Sequence, residues 1–362
     1  MNLKPRHLHT SEFCIGLGLK LLMGLVYGYV FLHFYNGDDT WKIHRLALKE
    51  TSLLLHDPGQ FLLNEYTPVE AIRNGHTFKE IFNLYLNDLE YALIVKTIAL
   101  FNLISQGNYY INALLFNLIT FWGHYWLFVF LVNIFPGARK KLFAAIFLFL
   151  PAIFWLSGIR SDGLLFFFFS LFLLHLQRKN WAWMLAGFAG VFIMRPQFAV
   201  LFGVALIPYL VSLKWKYSPL KIFTASYVVA IVLFFALGFQ EAVAVKQQQF
   251  LHLNGTKFEM NKLEPTVKSF IKALPAAFNH TFLRPYPWET KNILQLFYSL
   301  EMIFCWLLLL FMIFNIHPAW KRRLCHPVTL MLLFFSISLY IIIGYIVPFP
   351  VAITRYKIIA EL

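Results

Sequence analysis

The chain has 362 residues, of which 59% are hydrophobic and 19% aromatic, whereas only 13% are charged. Because soluble globular proteins carry about 25% charged residues, the composition indicates an integral membrane protein. It excludes secreted disulfide modules, disordered tails and cytosolic enzymes. The formal net charge of +14 fits either nucleic acid or membrane phosphates as partners, and its distribution along the chain distinguishes the two.

Nine apolar segments recur along the chain. Each has roughly 13 to 25 residues, enough to cross a membrane, in some cases with help from flanking residues. We predict an all-α fold, a polytopic transmembrane helix bundle that forms a single membrane domain over residues 1–362. The predicted spans are residues 13–35, 110–134, 142–155, 164–176, 181–193, 198–213, 222–239, 293–316 and 328–346.

The short connections between these spans divide by charge. Several carry basic residues and no acidic ones, which by the positive-inside rule makes them cytoplasmic. The N-terminus is then inside and the tail from Val347 outside. The basic excess is a topology signal, and nucleic acid is not an expected partner. The basic positions are Arg139, Lys140, Lys141, Arg178, Lys179, Lys214, Lys216, Lys321, Arg322 and Arg323.

Two long connections are predicted on the extracytoplasmic side, residues 36–108 and residues 240–292. The first has the pattern of interfacial amphipathic helices. Breaks are expected at residues 58–59 and 74–75, where a Pro-Gly and an Asn-Gly pair stand. The second is polar and contains four prolines, and we predict that it is a large extracytoplasmic loop.

Residues 91–104 are apolar, but the segment is short and contains Lys96. We interpret it as an interfacial or re-entrant helix, because a crossing here would reverse the orientation of every later basic connection. The alternative is a tenth span, offset by a second crossing elsewhere, such as a hairpin within residues 243–283.

An acidic pair, Asp38 and Asp39, directly follows the first span. A carboxylate at this surface can accept a proton from an acceptor hydroxyl, as a catalytic base. It can also hold a divalent cation, Mg²⁺ or Mn²⁺, against a phosphate. The alternatives are structural: the pair is a charged stop after the span, or Asp39 is the N-cap of a helix that runs on to Leu48.

Three more charged residues interrupt apolar sequence on the same predicted face. Arg160 and Asp162 stand in a tight connection between two spans, and Arg195 interrupts the apolar run of residues 181–213. Ionisable groups at membrane depth are costly unless they are paired or used. We predict that all three bind substrate. The structural alternatives are an Arg160–Asp162 pair that closes the hairpin, and a snorkelling turn residue at position 195.

Two further arginines are predicted on this face, each close to aromatic residues. Arg284 precedes Trp288 and Glu289, and Arg355 precedes Tyr356. Guanidinium groups bind phosphate through paired hydrogen bonds, and aromatic rings suit a sugar face or a lipid interface. We predict substrate binding by all five residues. A membrane-interface belt is the alternative for the two aromatic ones.

These features together resemble the GT-C superfamily of membrane glycosyltransferases, which take sugars from polyprenyl-phosphate donors. The likeness lies in the early acidic pair, the interfacial helices after it and the many further spans. The segments PAIFWLSGIRSDG, MRPQ and FLRPYPWE also resemble segments of bacterial polytopic proteins of surface-glycan assembly.

The resemblance implies roles for the charged residues. Asp38 or Asp39 becomes the catalytic base or a metal-orienting carboxylate, the outer arginines become ligands of the donor phosphate, and Asp162 stands for a second acidic motif. The implied partners are a polyprenyl-phosphate-linked sugar donor, a glycan or lipid acceptor, and membrane lipids. The implied location is the inner membrane of a bacterium, with the active face outside.

Other classes of function stay open. A glycan polymerase of the O-antigen polymerase kind would also use outer arginines but would not need the acidic pair. A transporter of lipid or glycan would need charged residues within its spans, for which Lys20 and Glu301 are the candidates. A scaffold subunit would give no reason for arginines to gather on one face.

Overall fold

The computed structural model describes residues 7–63, 75, 77–290, 293–314 and 323–362, and every regular element in these ranges is a helix. The chain divides into two compact units, Met1–Pro196 with Leu362, and Gln197–Glu361. Asn74 of a predicted break, residues 315–316 of a predicted span and the basic positions Lys321 and Arg322 lie outside the described residues.

The first unit is built around α5, which contacts α1, α4 and α8. Local sequence sets several of the helix starts. The Asn108 side chain accepts hydrogen bonds from the first turn of α5, and Thr77 and Glu80 form a capping box at α4. The helices are α1 Thr10–Phe34, α2 Asp38–His56, α3 Pro58–Leu63, α4 Phe78–Ser105, α5 Tyr109–Ile134, α6 Arg139–Phe147, α7 Leu150–Trp155, α8 Ser161–Arg178 and α9 Trp181–Met194.

The second unit is built around α15, which contacts α11, α12, α13 and α16. A π-helical turn, Asn279–Leu283, follows α13, and a 3₁₀ turn, Pro287–Glu289, precedes α14. The helices are α10 Pro196–Lys214, α11 Pro219–Ala236, α12 Phe239–His252, α13 Val267–Phe278, α14 Ile293–Phe314, α15 Pro327–Ile346 and α16 Pro350–Glu361.

Six helices in the described ranges are long and apolar enough to cross a membrane. They are α1, α5, α10, α11, α14 and α15, and each corresponds to one of the nine predicted spans. Their outer surfaces are apolar: on α11, for example, Val228, Val229, Ile231 and Val232 are all exposed. These helices therefore support the interpretation that the chain is a membrane protein. The number of nine spans and the orientation stay predictions.

The other three predicted spans have different forms. Residues 142–155 are divided between α6 and α7, which are separated at Leu148 and Phe149 just before Pro151. Proline in the first turn of α7 lacks the N–H that would continue a helix from α6. Residues 164–176 lie in α8, most of which is buried inside its unit, and residues 181–193 lie in the 14-residue helix α9.

The first long connection is more helical than predicted. The expected break at 58–59 is present, because α2 ends at His56 and α3 begins at Pro58. Residues 91–104, however, are not a separate short helix. They are the C-terminal half of the 28-residue helix α4, which contacts α2, α5 and α9. Most of α12 and all of α13 lie in the second connection.

Buried amide side chains join three helices of the first unit. The Asn112 amide on α5 donates to Asn102 Oδ1 on α4 at 2.6 Å, and the Asn102 amide donates to Thr51 Oγ on α2 at 2.8 Å. Beside them, burial lowers the pKa of the His44 imidazole on α2. Because buried polar groups are costly unless hydrogen-bonded, these contacts fix α2 against α4 and α5.

Helices α8 and α9 form a close hairpin. A Cβ atom at Gly187 of α9 would lie 2.7 Å from the backbone nitrogen of Phe172 on α8. This distance is shorter than real Cβ contacts. Gly190, one turn further on, faces the Phe168 ring in the same way. Glycine at these two positions therefore permits the two backbones to approach each other.

Candidate active site

A turn of unusual backbone geometry presents the acidic pair. Asn36, Gly37 and Asp38 all have positive φ angles, of 51°, 88° and 38°. The Gly37 N–H donates to Phe31 O at 2.7 Å, so the turn closes directly on the end of α1. Helix α2 then begins at Asp38 with Gly37 as its N-cap, without a side-chain capping bond. The alternative that Asp39 is the N-cap is therefore wrong.

Arg160 binds both members of the acidic pair. One terminal nitrogen donates to Asp38 Oδ2 at 2.7 Å, and the other donates to Asp39 Oδ2. The guanidinium is almost fully buried, whereas the side chains of Asp38 and Asp39 are 37% and 51% exposed. A buried cation thus holds two carboxylates that remain accessible from outside.

Asp162 and Arg195 form a second ion pair, with a nitrogen–oxygen distance of 2.7 Å. Asp162 is in the first turn of α8, where the helix dipole favours a negative charge, and Arg195 directly follows the last residue of α9. Arg160 forms salt bridges with the turn before α2, and Asp162 forms one with Arg195. The negative charge of Asp162 also acts on Arg160, so the predicted Arg160–Asp162 interaction is part of a larger group of charges.

Aromatic residues hold the start of α2 in place. The Trp41 indole stacks on the Tyr109 ring with centroids 3.9 Å apart, and its N–H donates to Gly28 O at 3.0 Å. The Tyr109 hydroxyl lies 2.7 Å from Thr40 Oγ. These contacts join α1, α2 and α5 one turn after the acidic pair, so the carboxylates stand on a fixed support.

Two tyrosines that no sequence motif marks also belong to this site. The Tyr27 hydroxyl accepts a hydrogen bond from Arg160 at 3.4 Å, and its ring is fully buried. Tyr91 lies on α4, and the charges of Asp39 and Arg160 both affect the pKa of its phenol. Burial, and then the negative charge of Asp39, raise the pKa of the Tyr91 phenol. Neither residue belongs to a local motif, so only long-range contacts could identify them.

The charges of this cluster decide what it can hold. Three carboxylates face two guanidinium groups, which leaves one net negative charge. A resident Mg²⁺ or Mn²⁺ fits this arrangement poorly, because the Arg160 cation takes the position between Asp38 and Asp39 that the metal would need. Among the described residues, no group of three potential metal ligands stands together.

The Arg284 segment forms a separate group in the second unit. Arg284 pairs with Glu289 at 2.8 Å, and its guanidinium lies over the Phe258 ring, 4.7 Å from the centroid. Tyr286 and Trp288 stack in parallel, 4.9 Å apart, and the Trp288 side chain is highly exposed. This is the geometry of a cation beside an open aromatic surface.

A mostly apolar cavity of about 200 Å³ adjoins this group. The proline turn forms one wall, through Pro285, Tyr286 and Pro287, and α14 forms the other, through Met302 and Trp306. The Trp306 indole donates to Phe282 O at 2.6 Å, which fixes that wall. The cavity therefore offers an apolar surface directly beside a charged one.

The last two predicted residues, Arg355 and Tyr356, lie on α16 of the second unit. The Arg355 guanidinium lies over the Tyr356 ring, 4.7 Å from the centroid. The structure thus brings Asp38, Asp39, Arg160, Asp162 and Arg195 together in the first unit. It groups Arg284, Trp288 and Glu289 in the second. Comparisons with protein-family models, with curated proteins and with solved structures find no match for this chain.

Proposed function

We propose that this protein is a membrane glycosyltransferase that moves a sugar from a polyprenyl-phosphate donor to a glycan or lipid acceptor. The observation that carries this proposal is the buried Arg160 that holds two accessible carboxylates at the start of α2. Because the side chains of Asp38 and Asp39 are 37% and 51% exposed, an acceptor hydroxyl can reach them. The resemblance to the GT-C superfamily supports the same conclusion.

In this reaction Asp39 is the base, because it is the more exposed of the two carboxylates. It takes the proton of the acceptor hydroxyl while that oxygen forms a bond to the anomeric carbon. The bond from that carbon to the phosphate oxygen breaks, and the phosphate leaves with the electron pair, so the configuration is inverted. Asp38 and Arg160 position Asp39, and the reaction needs no metal-dependent step.

The departing phosphate gains negative charge and needs cationic partners. Within the first unit, Arg195 is the proposed ligand. In the second unit, we propose that Arg284 binds a lipid-linked phosphate, with the Tyr286–Trp288 stack covering a sugar face or a prenyl chain and the adjacent apolar cavity taking the lipid part. The proposed setting is a bacterial inner membrane, with this chemistry on its extracytoplasmic face.

The test is mass spectrometry of lipid-linked glycans in a strain that lacks the gene and receives it back as wild type or variant. Asp39→Asn should cause the unglycosylated acceptor to accumulate, because loss of a general base lowers the rate of sugar transfer by about 100- to 10,000-fold. Asp57→Asn is the matched control in the same connection. Its Oδ1 accepts a hydrogen bond from the Gln60 N–H, which asparagine can also do.

Full function of both Asp38→Asn and Asp39→Asn, with the variant proteins present in the membrane, would refute the transferase proposal. A glycan polymerase that depends on arginines alone would give that result. A transporter is the second candidate, favoured by Lys20, which is buried within the apolar helix α1 and donates to Leu156 O at 2.6 Å. Accumulation of fully assembled glycan in the absence of the protein would indicate transport.

A further inference from the structure

A group of buried charges in the second unit has no part in the proposed transferase reaction. Glu301 on α14 is 7% exposed, and Lys357 on α16 is 1% exposed. The Lys357 ammonium lies 2.9 Å from Glu361 Oε1, one turn further along α16. The same ammonium lies 2.7 Å from the Sδ atom of Met302, the residue next to Glu301, and the charge of the Glu361 carboxylate acts on Glu301. One ammonium therefore faces two carboxylates.

The oxygens of these carboxylates lack donors. Both oxygens of Glu301 and Oε2 of Glu361 are buried, and none of them has a hydrogen-bond partner in the part of the chain that the structure describes. Two ionised carboxylates in contact would repel each other, and burial away from water makes that repulsion expensive. Both groups cannot be ionised in this arrangement without a further positive charge.

The surroundings supply no such charge from the described residues. The groups whose charges act on Glu301 are Glu361 and Lys357. The other titratable neighbours are Cys305 on α14 and Tyr340 on α15, which are neutral when protonated. The π-helical turn contributes the Thr281 carbonyl, which accepts from Lys357 at 3.4 Å. The imidazole of His280 in that turn stacks instead on Phe258.

We propose that Glu301 and Glu361 share one proton and form a proton-binding site within the helices of the second unit. Uptake of a proton from water converts the Glu301 carboxylate to a carboxylic acid, whose O–H donates to Glu361. Glu361 keeps its ion pair with Lys357, and the group of three becomes neutral. This inference is independent of the proposed transferase activity, which uses neither glutamate.

Infrared spectroscopy of the purified full chain at pH 7, in water and in deuterium oxide, tests the proposal. Wild type should show a deuterium-sensitive carboxylic-acid band. Either Glu301→Gln or Glu361→Gln should remove it, because one remaining carboxylate then faces one ammonium and stays ionised. Lys357→Gln should have the opposite effect and give about twice the band area, since two buried carboxylates without a cation each take a proton.

Glu259→Gln, at an exposed position, is the control and should leave the band unchanged. Gel filtration identifies variants that fail to fold. If Lys357→Gln is one of them, Glu301→Gln and Glu361→Gln are sufficient to test the proposal. A folded wild type without the band would overturn the proposal, as would a band that survives both Gln substitutions. A band that develops only when sodium is replaced by a large organic cation would also overturn it, by assigning the site to a metal ion.

Discussion

The guanidinium of Arg160 and the carboxylate of Asp38 form an ion pair at 2.7 Å across 122 residues of chain. This contact joins the connection before α8 to the turn before α2. The same guanidinium holds Asp39, so one side chain determines where two others stand. The position of the candidate base is therefore set by a residue remote in sequence.

Arg160 should consequently be important for stability as well as for activity. Arg160→Gln removes two charge-assisted hydrogen bonds, each worth about 1.5–3 kcal/mol, a range that the partial exposure of the aspartates reduces. We expect a clear loss in the free energy of unfolding, measured by detergent titration. Arg178→Gln, at the exposed end of α8, should change it by no more than about 0.5 kcal/mol. Equal effects of the two substitutions would contradict the role of Arg160.

The glycine before the acidic pair should not tolerate a side chain. Gly37 and Gly238 are both helix N-caps with positive φ, of 88° and 77°. Alanine should cost about 1 kcal/mol at either position for its backbone angle. At Gly37 the new Cβ would also lie 2.9 Å from Trp41 Cβ, whereas at Gly238 nothing lies within 4 Å. Gly37→Ala should therefore lower the unfolding midpoint more than Gly238→Ala does. An equal decrease in the two variants would show that the Trp41 contact does not contribute to the loss of stability.

Arg284 gives a test of donor binding. If it holds the phosphate, Arg284→Lys should weaken binding of a polyprenyl-phosphate analogue by roughly 10- to 150-fold, because an ammonium cannot make the planar two-bond contact. Glu289→Gln is the matched variant: it removes the charge that neutralises Arg284, so binding should stay equal or become tighter. Binding by purified protein in nanodiscs is the measurement. Weaker binding in Glu289→Gln would indicate that the ion pair has a structural role.

The sequence identified the apolar helices well, because a long apolar run has few alternatives to a helix. It identified the candidate residues of the first unit less completely. Local pattern selected Asp38, Asp39 and Arg160, but their pairing depends on how α1, α2 and α8 pack. The nearby pair Arg160 and Asp162 suggested a salt bridge between them because they are close in sequence. In the fold each forms its ion pair with a different element.

The buried charges show a second reason why the sequence alone predicts the structure incompletely. Glu301 could be recognised from sequence as an ionisable residue within an apolar helix, and in the structure it is buried. Its neighbours Lys357 and Glu361 stand in a segment with ordinary polar residues, where nothing local marks them as buried. The length of α4 was also missed, because its charged residues conceal the continuity of the helix.

The glycine contacts between α8 and α9 have a consequence for the chain's tolerance of insertions. With the two backbones in contact at Gly187, the number of residues from there to Arg195 determines whether the guanidinium is level with Asp162. One residue inserted after Gly190 would turn Arg195 by about 100° around the axis of α9 and raise it by about 1.5 Å. Sequences with this ion pair must therefore keep the hairpin at constant length, even where its exposed residues change freely.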